Sequence, residues 1–354
     1  MHKPKKILFG VLNWGLGHAT RSIPIIRQLI DAGFEVVLAS DGSALQFLQQ
    51  TFPGLQAVSL PAYDIQYSQK PYFFSLKILS QFPHILKTLR QERDITHQLV
   101  DQYQPDLLIS DNRFGFYDAR VKNIYITHQL QVLSGITTPI TTYFHAKIYK
   151  KYDQIWVPDY AGDKNLSGKL GHLKKQSEKV KYIGTLSRMQ KKEVVKQYDV
   201  LVILSGPEPQ RSLLEHKIQT ALEKLSLKTA IVQGIVTNEK KFFIKNGVDI
   251  YNYLNQKELE AVVNASEIII SRSGYTSIME LVNLQKKVLW IPTPGQAEQE
   301  YLAKYLLEQY GYFCQKQQKL AIDANILNIL PPTDIVFDSA NSQDVIELIN
   351  MNFK

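Results

Sequence analysis

The feature that most constrains the fold is a repeated pattern in which a short apolar run leads through small or polar residues into a helical pattern. In the first half, strands are predicted at 5–13, 34–39, 56–60, 106–110, 122–127 and 153–157. In the second half, they are predicted at 199–204, 228–233, 248–251, 267–271 and 287–291. Helical periodicity separates most of these runs, and such alternation favours parallel sheets. The chain is therefore predicted to be an α/β protein.

The length of 354 residues, with 44% hydrophobic residues, suits two substantial cores better than one. Residues 186–197 are rich in Lys, Gln and Arg and have little apolar periodicity. We therefore predict a first domain over 1–185 and a second over 186–335, with a hinge between them.

The strongest functional signal is the segment from Ser271 to Glu280, which follows the apolar run 267–270. Its helical pattern places the N–H groups of a first turn beside Gly274, and such a helix start attracts a diphosphate. Glu280 lies about one turn further on, where a carboxylate can accept two hydrogen bonds from ribose hydroxyls. The segment predicts a nucleotide-sugar site, and the alternative is an ordinary strand-turn-helix with a surface Glu.

A second signal follows the first predicted strand, where Gly15, Gly17 and His18 stand at the start of a helical pattern. The glycines allow a ligand to approach the backbone closely, and a histidine can exchange a proton near neutral pH. A dinucleotide fingerprint would need a third glycine where Thr20 stands. Binding of NAD is therefore a weak alternative, in which Asp41 would act as the ribose-binding acid.

Both motifs, together with the polar loop from Pro292 to Glu300, resemble those of GT-B glycosyltransferases, most closely family 28, which includes the peptidoglycan lipid-intermediate GlcNAc transferases. The resemblance implies a GT-B fold, in which two Rossmann-like doubly wound parallel-sheet domains face a central cleft. It also implies an acceptor-side first domain, a nucleotide-sugar-binding second domain, and a C-terminal helix within 336–354 that returns to the first domain.

The same resemblance implies roles for individual residues of the donor site. Gly274, Tyr275 and Thr276 face the diphosphate, Glu280 the ribose, and Gln299 with Glu300 the donor sugar. The other donor-side candidates are Gly17, Gly206, Arg211, Arg272 and Ser273, and the acceptor-side candidates are Asn13, Gly15, His128 and Gln129. The family usually has Gln, or His or Asp followed by Gln, and then Asn-Ala. Here Gln299-Glu300 precedes Ala303-Lys304, so the sugar stays open.

Either His18 or Asp111 is predicted to remove the proton of the acceptor hydroxyl. Burial can raise the pKa of a carboxyl such as Asp111 at the end of a strand, and capping of the next segment is its alternative role. No Asp-x-Asp occurs in the sequence, which argues for a metal-independent reaction in which helix N-termini and basic side chains stabilise the leaving UDP. If the family chemistry holds, direct displacement inverts the anomeric carbon.

The expected function is transfer of a hexose or N-acetylhexosamine from a UDP-sugar to an acceptor hydroxyl, with no cofactor. Hydrolysis is an alternative, because the Gly-x-Gly-His-x-x-Arg pattern from Gly15 to Arg21 also resembles the loop of a GT-B-like UDP-sugar hydrolase. A UDP-sugar 2-epimerase of the same fold and a non-catalytic nucleotide-sugar-binding protein are further alternatives. The products of the reaction distinguish all four.

The formal net charge of +8 favours anionic ligands or an anionic membrane surface. The segment 70–93 is basic and amphipathic, which suits docking on a membrane that presents a lipid-linked or glycolipid acceptor, or simply a helix that covers the domain with its charges in solvent. Nucleic-acid binding is not expected, because the basic residues are scattered and no zinc-finger or RNA-recognition signature occurs. The lone Cys314 and the lack of a signal-peptide or membrane-spanning pattern predict a cytoplasmic protein, at the inner face of the membrane if 70–93 docks.

Overall fold

The computed structural model describes residues 4–64, 81–133, 138–175, 177–206, 208–235, 237, 239–335, 337, 340 and 342–353. The described chain divides into two compact units. The first contains the described residues up to Leu186 and again from Phe337, and the second contains those from Ser187 to Ile335. The boundaries predicted from the sequence fall after residues 185 and 335.

The first unit is built on a parallel sheet. Its strands are β1 (Lys6–Val11), β2 (Glu35–Ser40), β3 (Gln56–Ser59), β4 (Leu107–Asp111), β5 (Lys122–Ile126), β6 (Gln154–Val157) and β7 (Val180–Tyr182). Their order in the sheet is β3-β2-β1-β4-β5-β6-β7, and every pairing is parallel. The helices that follow these strands include α1 (Leu16–Asp31), α2 (Gly42–Thr51), α3 (Phe82–Tyr103) and α4 (Thr138–Tyr149).

The winding of the first unit reverses between β1 and β4. After β1 the chain adds β2 and β3 on one side, and then returns to add β4 on the other. In open α/β sheets, ligands bind outside the carboxyl ends of the strands at such a switch point. The loop after β1 carries Gly15, and β4 ends at Asp111, so this edge of the sheet holds the predicted amino-terminal site.

The second unit has a sheet of the same kind. Its strands are β8 (Tyr198–Ile203), β9 (Thr229–Val232), β10 (Phe242–Lys245), β11 (Val248–Tyr251), β12 (Ser266–Ser271) and β13 (Lys287–Trp290), in the order β10-β11-β9-β8-β12-β13. Its helices are α5 (Gln210–Leu222), α6 (Gln256–Asn264), α7 (Tyr275–Asn283), α8 (Ala297–Tyr310) and α9 (Ala324–Asn328). Its switch point lies between β8 and β12, which is where the Ser271 segment begins. The predicted α/β class with two doubly wound sheets is therefore confirmed, one sheet in each unit.

Two strands escaped the sequence prediction, the three-residue edge strand β7 and strand β10. Strand β10 pairs antiparallel with β11 through a turn at Asn246 and Gly247, which take left-handed φ angles of 50° and 77°. All four residues of β10 are exposed, so the strand lacks the buried positions that mark the central strands. The Asn-Gly pair is the signal that identifies such a hairpin.

The carboxyl end of the chain packs on the first unit. Helix α10 (Val345–Met351) buries Leu348 and Ile349 and contacts α1. The ring of Phe353 lies 6.0 Å from that of Phe34, and the Lys5 ammonium lies 3.7 Å from the Phe353 ring centre. The last helix thus belongs to the core of the first unit, although the chain reaches it only after completing the second.

Helix α3 begins at Phe82, and Pro83 stands in its first turn, where the missing N–H removes no helical hydrogen bond. The rest of the basic segment predicted at 70–93, residues 70–80, lies outside the described residues. Each helix in the described part of the chain is too short or too polar to cross a membrane.

Candidate active site

The turn after β1 brings a histidine to the carboxyl edge of the first sheet. Gly15 is the residue before α1 and has φ 76°, a backbone conformation that favours glycine. His18 follows in the first turn of the helix. Gly17 lies in the same turn, and its carbonyl oxygen accepts a hydrogen bond from the Thr20 hydroxyl at 3.0 Å. Gly15 therefore provides the backbone turn that sets the direction in which α1 begins.

His18 is held by the carboxylate of Asp111, the last residue of β4. The Nδ1 atom of His18 lies 2.9 Å from Asp111 Oδ1, and Asp111 is fully buried. Within the described residues, no hydrogen bond engages Nε2 of His18. The Asp111 carboxylate also accepts hydrogen bonds from Ser22 Oγ at 2.9 Å and Arg21 Nε at 2.8 Å. These partners are side chains of α1, a pairing that was not predicted from the sequence, and the role of Asp111 as a base stays a prediction.

The charges around this pair set the protonation of both groups. Burial alone would raise the pKa of Asp111, but Arg21 and His18 outweigh it and hold that pKa well below its ordinary value of 3.8. Burial, helped by the charge of Arg21, lowers the pKa of His18 below 6.5, although Asp111 pulls it upward. At neutral pH the site therefore holds an ionised carboxylate and a neutral imidazole, which is the form that accepts a proton.

Arg21 also joins His128 to this cluster. Its Nη1 atom lies 2.8 Å from Nδ1 of His128, and the arginine is 2% exposed. Gln129 lies next to His128, with its backbone N–H bonded to the Thr127 hydroxyl at 3.1 Å. The structure thus gathers His18, Asp111 and His128 around one buried guanidinium. Arg21 was not among the candidate site residues, although it ends the Gly-x-Gly-His-x-x-Arg pattern.

A second buried arginine lies beside the same edge of the sheet. Arg113 is fully buried and forms ion pairs with Glu92 and Asp41. The other oxygen of Asp41 accepts a hydrogen bond from Asn13 Nδ2 at 3.0 Å. Asp41 is therefore already bonded to Arg113 and Asn13. In the NAD-binding alternative, this carboxylate would bind the ribose.

In the second unit, the predicted diphosphate turn joins β12 to α7. Gly274 precedes the helix, and its position offers no capping side chain to the first turn. The hydroxyl of Ser273 donates to the carbonyl oxygen of Gln299 at 2.9 Å, which fixes the turn against the start of α8. Tyr275 and Thr276 are the first two residues of α7, so the three predicted diphosphate contacts stand together at one helix start.

Glu280 has a partner that the sequence did not suggest. Arg188 Nε donates to Glu280 Oε1 at 2.7 Å, and both side chains are nearly buried. One carboxylate oxygen is thus oriented by a guanidinium, and the described residues contain no hydrogen bond to the other. Arg188 lies 92 positions away along the chain, so no local pattern links it to the Ser271 segment.

Arg272 holds the loops of this switch point together. Its guanidinium is fully buried and donates to three backbone carbonyls, those of Gln210 at 2.8 Å, Pro292 at 3.2 Å and Ile291 at 3.4 Å. Burial lowers its pKa to about 10. Arg272 therefore braces the diphosphate turn against the loops that lead into α5 and α8, and direct contact with phosphate stays a prediction.

The paired polar residues at the start of α8 bond to their own loop. Gln299 Oε1 accepts from the N–H of Thr293 at 2.9 Å, and its Nε2 donates to Gln296 at 2.6 Å. Glu300 Oε1 accepts from the N–H of Gly295 at 3.1 Å. These side chains shape the loop predicted to face the donor sugar, and their contact with that sugar stays a prediction.

The last two donor-side candidates lie in the loop after β8 and in the first turn of α5. Gly206 has φ 98°, and a Cβ placed on it would lie 3.7 Å from the Thr293 hydroxyl. Arg211 bonds to Glu208 at 2.8 Å and to Glu215 at 3.0 Å, so two carboxylates already compensate its charge. The described residues contain no cluster of three His, Cys, Asp or Glu side chains that could hold a metal ion.

Comparison with known proteins matches each half of the chain to a glycosyltransferase family. The glycosyltransferase family 28 C-terminal domain matches residues 200–343, and the family described as glycosyl transferase family 1 matches residues 5–148. An uncharacterized glycosyltransferase of Methanosarcina mazei is 23% identical over 334 residues, covering 87% of this chain and 84% of the relative.

Two further similarities point in the same direction. A Clostridium tetani protein named UDP-N-acetylglucosamine–N-acetylmuramyl-(pentapeptide) pyrophosphoryl-undecaprenol N-acetylglucosamine transferase is 23% identical over 317 residues, covering 84% of this chain and 81% of the relative. The solved structure of the glycosyltransferase SsfS6 of Streptomyces sp. SF2575, complexed with thymidine diphosphate, has a TM-score of 0.60 and 13% identity, with coverage of 98% and 99%.

The ion pair between Asp111 and Arg21 predicts a measurable stability effect. Asp111→Asn leaves a buried guanidinium without its carboxylate and should lower the free energy of unfolding by about 3–5 kcal/mol. Because the pKa of Asp111 is depressed on folding, its contribution is complete above pH 3.8 and is lost as the pH falls below that value. Urea unfolding should therefore show a difference between wild type and variant that narrows in acid.

The matched control is Lys122→Gln, which removes an exposed ion pair with Asp153 at 3.5 Å in the same unit. This variant should change the free energy of unfolding by less than about 1 kcal/mol. Equal effects of the two substitutions at pH 7 would contradict the assigned role of Asp111.

Proposed function

We propose that this chain, a GT-B glycosyltransferase with a family 28 C-terminal domain, transfers a hexose or N-acetylhexosamine from a UDP-sugar to an acceptor hydroxyl with inversion and without a metal. The observation that carries the proposal is the 2.9 Å contact between His18 Nδ1 and the ionised Asp111. It fixes the ring and leaves Nε2, within the described residues, without a hydrogen bond. A neutral histidine oriented by a buried carboxylate is a general base.

The proposed reaction is a single displacement. Nε2 of His18 takes the proton of the acceptor hydroxyl as the oxygen attacks the anomeric carbon from the face opposite the diphosphate. The bond between that carbon and the diphosphate oxygen breaks, and UDP leaves with the electron pair. The imidazolium that forms is stabilised by the Asp111 carboxylate, and the product is a glycoside of inverted configuration.

The donor is assigned to the second unit. The start of α7 at Gly274 supplies a helix N-terminus for the leaving diphosphate, and Arg272 adds a buried positive charge behind it. Glu280, oriented by Arg188, is proposed to bind the ribose. The name of the Clostridium relative supports a UDP donor, whereas SsfS6 was solved with thymidine diphosphate, so the nucleotide is to be tested with both.

Product analysis tests the reaction directly. Wild-type protein is incubated with UDP-glucose, UDP-galactose or UDP-GlcNAc and with octyl glycosides as acceptors, and the products are identified by NMR. Transfer gives UDP and a β-glycoside from an α-linked donor. Release of free sugar would replace the proposal with hydrolysis, an isomerised donor would replace it with epimerisation, and binding without turnover would leave a binding protein.

Substitution of His18 should separate catalysis from donor binding. His18→Ala is expected to lower kcat by roughly 10²–10⁴-fold, the usual contribution of a general base, and to leave UDP affinity unchanged. In the wild type, the acid limb of the kcat–pH profile should be centred below pH 6.5, because the pKa of His18 is lowered. Steady-state kinetics and calorimetric titration provide both readouts.

The control for this substitution is His216→Ala, which removes an exposed histidine in the second unit. It should change neither kcat nor the pH profile. An acid limb that survives in His18→Ala would exclude His18 as the base.

Substitution of Glu280 tests the ribose assignment. Glu280→Gln should weaken UDP binding by roughly 10-fold or more, because hydrogen bonds to a charged group contribute about 1.5–3 kcal/mol. Wild type should bind UDP more tightly than 2′-deoxy-UDP, and the variant should lose this preference. Glu267→Gln, at an exposed carboxylate of the same unit, is the control. If the preference persists in Glu280→Gln, the carboxylate does not bind the ribose.

A membrane-linked acceptor is supported by an apolar patch on the first unit. The patch consists of five exposed side chains at the start of α3 and on α4: Phe82, Leu86, Ile140, Tyr143 and Phe144. The rings of Phe82 and Phe144 lie 5.8 Å apart, and the Lys147 ammonium lies 4.6 Å from the Tyr143 ring centre. Exposed aromatic residues flanked by basic ones suit an anionic bilayer surface, and the protein would then act at the cytoplasmic face.

Vesicle sedimentation tests the patch. The protein should bind vesicles that contain phosphatidylglycerol more strongly than phosphatidylcholine vesicles, and binding should fall with added salt because charges contribute to it. Phe82→Ser combined with Phe144→Ser should weaken binding, whereas Val195→Ser, at an exposed apolar residue of the second unit, should not. Binding that is insensitive to the double substitution would exclude the patch.

A further inference from the structure

We propose that a pocket beside the His18 turn binds the acceptor as an uncharged sugar ring and excludes phosphate groups from that position. This assignment rests on the proposed function, because it specifies the chemistry of the acceptor. The described residues that line the pocket all belong to the first unit, and the pocket has a volume of about 230 Å³. Its lining includes Asn13, Trp14, Asp41, Tyr63, Asp64 and Phe114.

The size of the pocket limits its occupant to one small ring. At about 30 Å³ per molecule, 230 Å³ is the space of roughly eight waters. Sites for drug-sized ligands begin at about 300 Å³. A single pyranose fits this space, whereas the remainder of a longer acceptor would extend outside it.

The lining of the pocket contains both aromatic rings and carboxylates. Trp14, Tyr63 and Phe114 supply three rings, and those of Tyr63 and Phe114 meet edge to face at 5.6 Å. Aromatic faces pack against the C–H faces of a sugar, and carboxylate and amide oxygens accept hydrogen bonds from its hydroxyls. A purely apolar acceptor would offer no hydrogen bond to the Asp64 carboxylate, which has none within the described residues.

The charges of the lining disfavour an anion. Asp41 and Asp64 are both in the lining, and its described residues include neither Lys nor Arg. The guanidinium of Arg113, which contacts the lining residue Asp41, is already bonded to Glu92, Asp41 and the carbonyl oxygen of Pro61. Among the described lining residues, a phosphate placed here would face carboxylates and no cation to compensate its charge. If the acceptor is linked to a lipid diphosphate, the diphosphate must lie outside this pocket.

The polar groups of the pocket are fixed before any ligand binds. Asn13 Oδ1 accepts from the N–H of Ala44 at 3.2 Å and from the Ser43 hydroxyl at 3.0 Å, and Tyr63 donates to the buried Glu92. Asp64 differs from them, because it is exposed, takes a left-handed φ of 44° and has no hydrogen bond to its carboxylate within the described residues. Asp64 is therefore the group assigned to the acceptor hydroxyls.

The pocket lies beside the turn that carries the proposed base. Gly15, another of its lining residues, is the N-cap of α1, and His18 follows in the first turn of that helix. A sugar in the pocket thus lies next to the turn that carries the proposed base. The acceptor hydroxyl and the group that deprotonates it are brought together by one loop.

Tryptophan fluorescence measures occupancy of the pocket without any turnover. The chain has three tryptophans, and Trp156 and Trp290 are fully buried, so Trp14 is the one that can report a ligand. Methyl glucoside, methyl galactoside and methyl N-acetylglucosaminide are the probes, and glucose 6-phosphate and pyrophosphate are the charged comparisons. At least one neutral glycoside should change the emission, the charged compounds should bind at least 10-fold more weakly, and Trp14→Phe should abolish the signal.

Two substitutions test the lining. Asp64→Asn and Phe114→Ala should each weaken glycoside binding by about 10-fold, the equivalent of one charged hydrogen bond or one ring contact. Asp94→Asn, at an exposed carboxylate on α3, is the matched control and should leave binding unchanged. UDP affinity of both pocket variants should equal that of the wild type, because the proposed donor site lies in the second unit. Their circular dichroism spectra and urea unfolding midpoints should also match the wild type, which shows that the first unit is folded.

The proposal is overturned if no glycoside changes the emission of a protein that binds UDP, or if the phosphorylated compounds bind more tightly than the neutral ones. Unchanged glycoside binding in Asp64→Asn and Phe114→Ala would also overturn it. Glycoside binding in the pocket without transfer from any UDP-sugar would support the pocket and contradict the proposed function, so the two failures are distinguishable.

Discussion

The site at the carboxyl edge of the first sheet depends on the buried charge of Asp111. Asp111 stands at the end of a central strand, fully buried and ionised, and an isolated carboxylate in that position would be very costly. Within the described residues, the hydrogen bonds that compensate this charge come from α1, through His18, Arg21 and Ser22. The fold therefore cannot place the end of β4 without also placing the first turn of α1. The contacts that compensate the charge of Asp111 therefore also orient the imidazole of His18.

In the second unit, the buried charge at the switch point is a cation, the guanidinium of Arg272. Arg272 is surrounded by carbonyl oxygens instead of carboxylates, so its charge is coordinated but not neutralised. Three carbonyl groups, one at the start of α5 and two in the loop after β13, accept hydrogen bonds from it, and this fixes the geometry of the switch point between β8 and β12. The residual positive potential lies beside a helix N-terminus, and the two add in the same direction. In the first unit, by contrast, Arg21 forms an ion pair with Asp111, and burial together with the charge of Arg21 lowers the pKa of His18 and keeps the imidazole neutral.

The sequence predicted those parts of the molecule that local pattern determines. Apolar runs located the central strands, the glycine-rich turn identified His18, and the position at a strand end identified Asp111. Pairings between distant residues were not accessible in this way. Arg188 and Glu280 meet although they lie 92 positions apart along the chain, and nothing in either local segment encodes that proximity. Strand β10 was missed for another reason, because an exposed edge strand has no buried face to give it a period.

The turns at Gly15 and Gly274 differ in the reason for glycine at each position. Gly15 takes a positive φ of 76°, so the backbone itself explains the residue. Gly274 has φ −73° and ψ 141°, which any residue adopts, and a Cβ added there would meet only Gln299 Nε2 at an ordinary 3.9 Å. The fold of the second unit therefore gives no reason for glycine at this position. A ligand that approaches the backbone closely at the start of α7 would give one, because a side chain would occupy the space that a diphosphate needs.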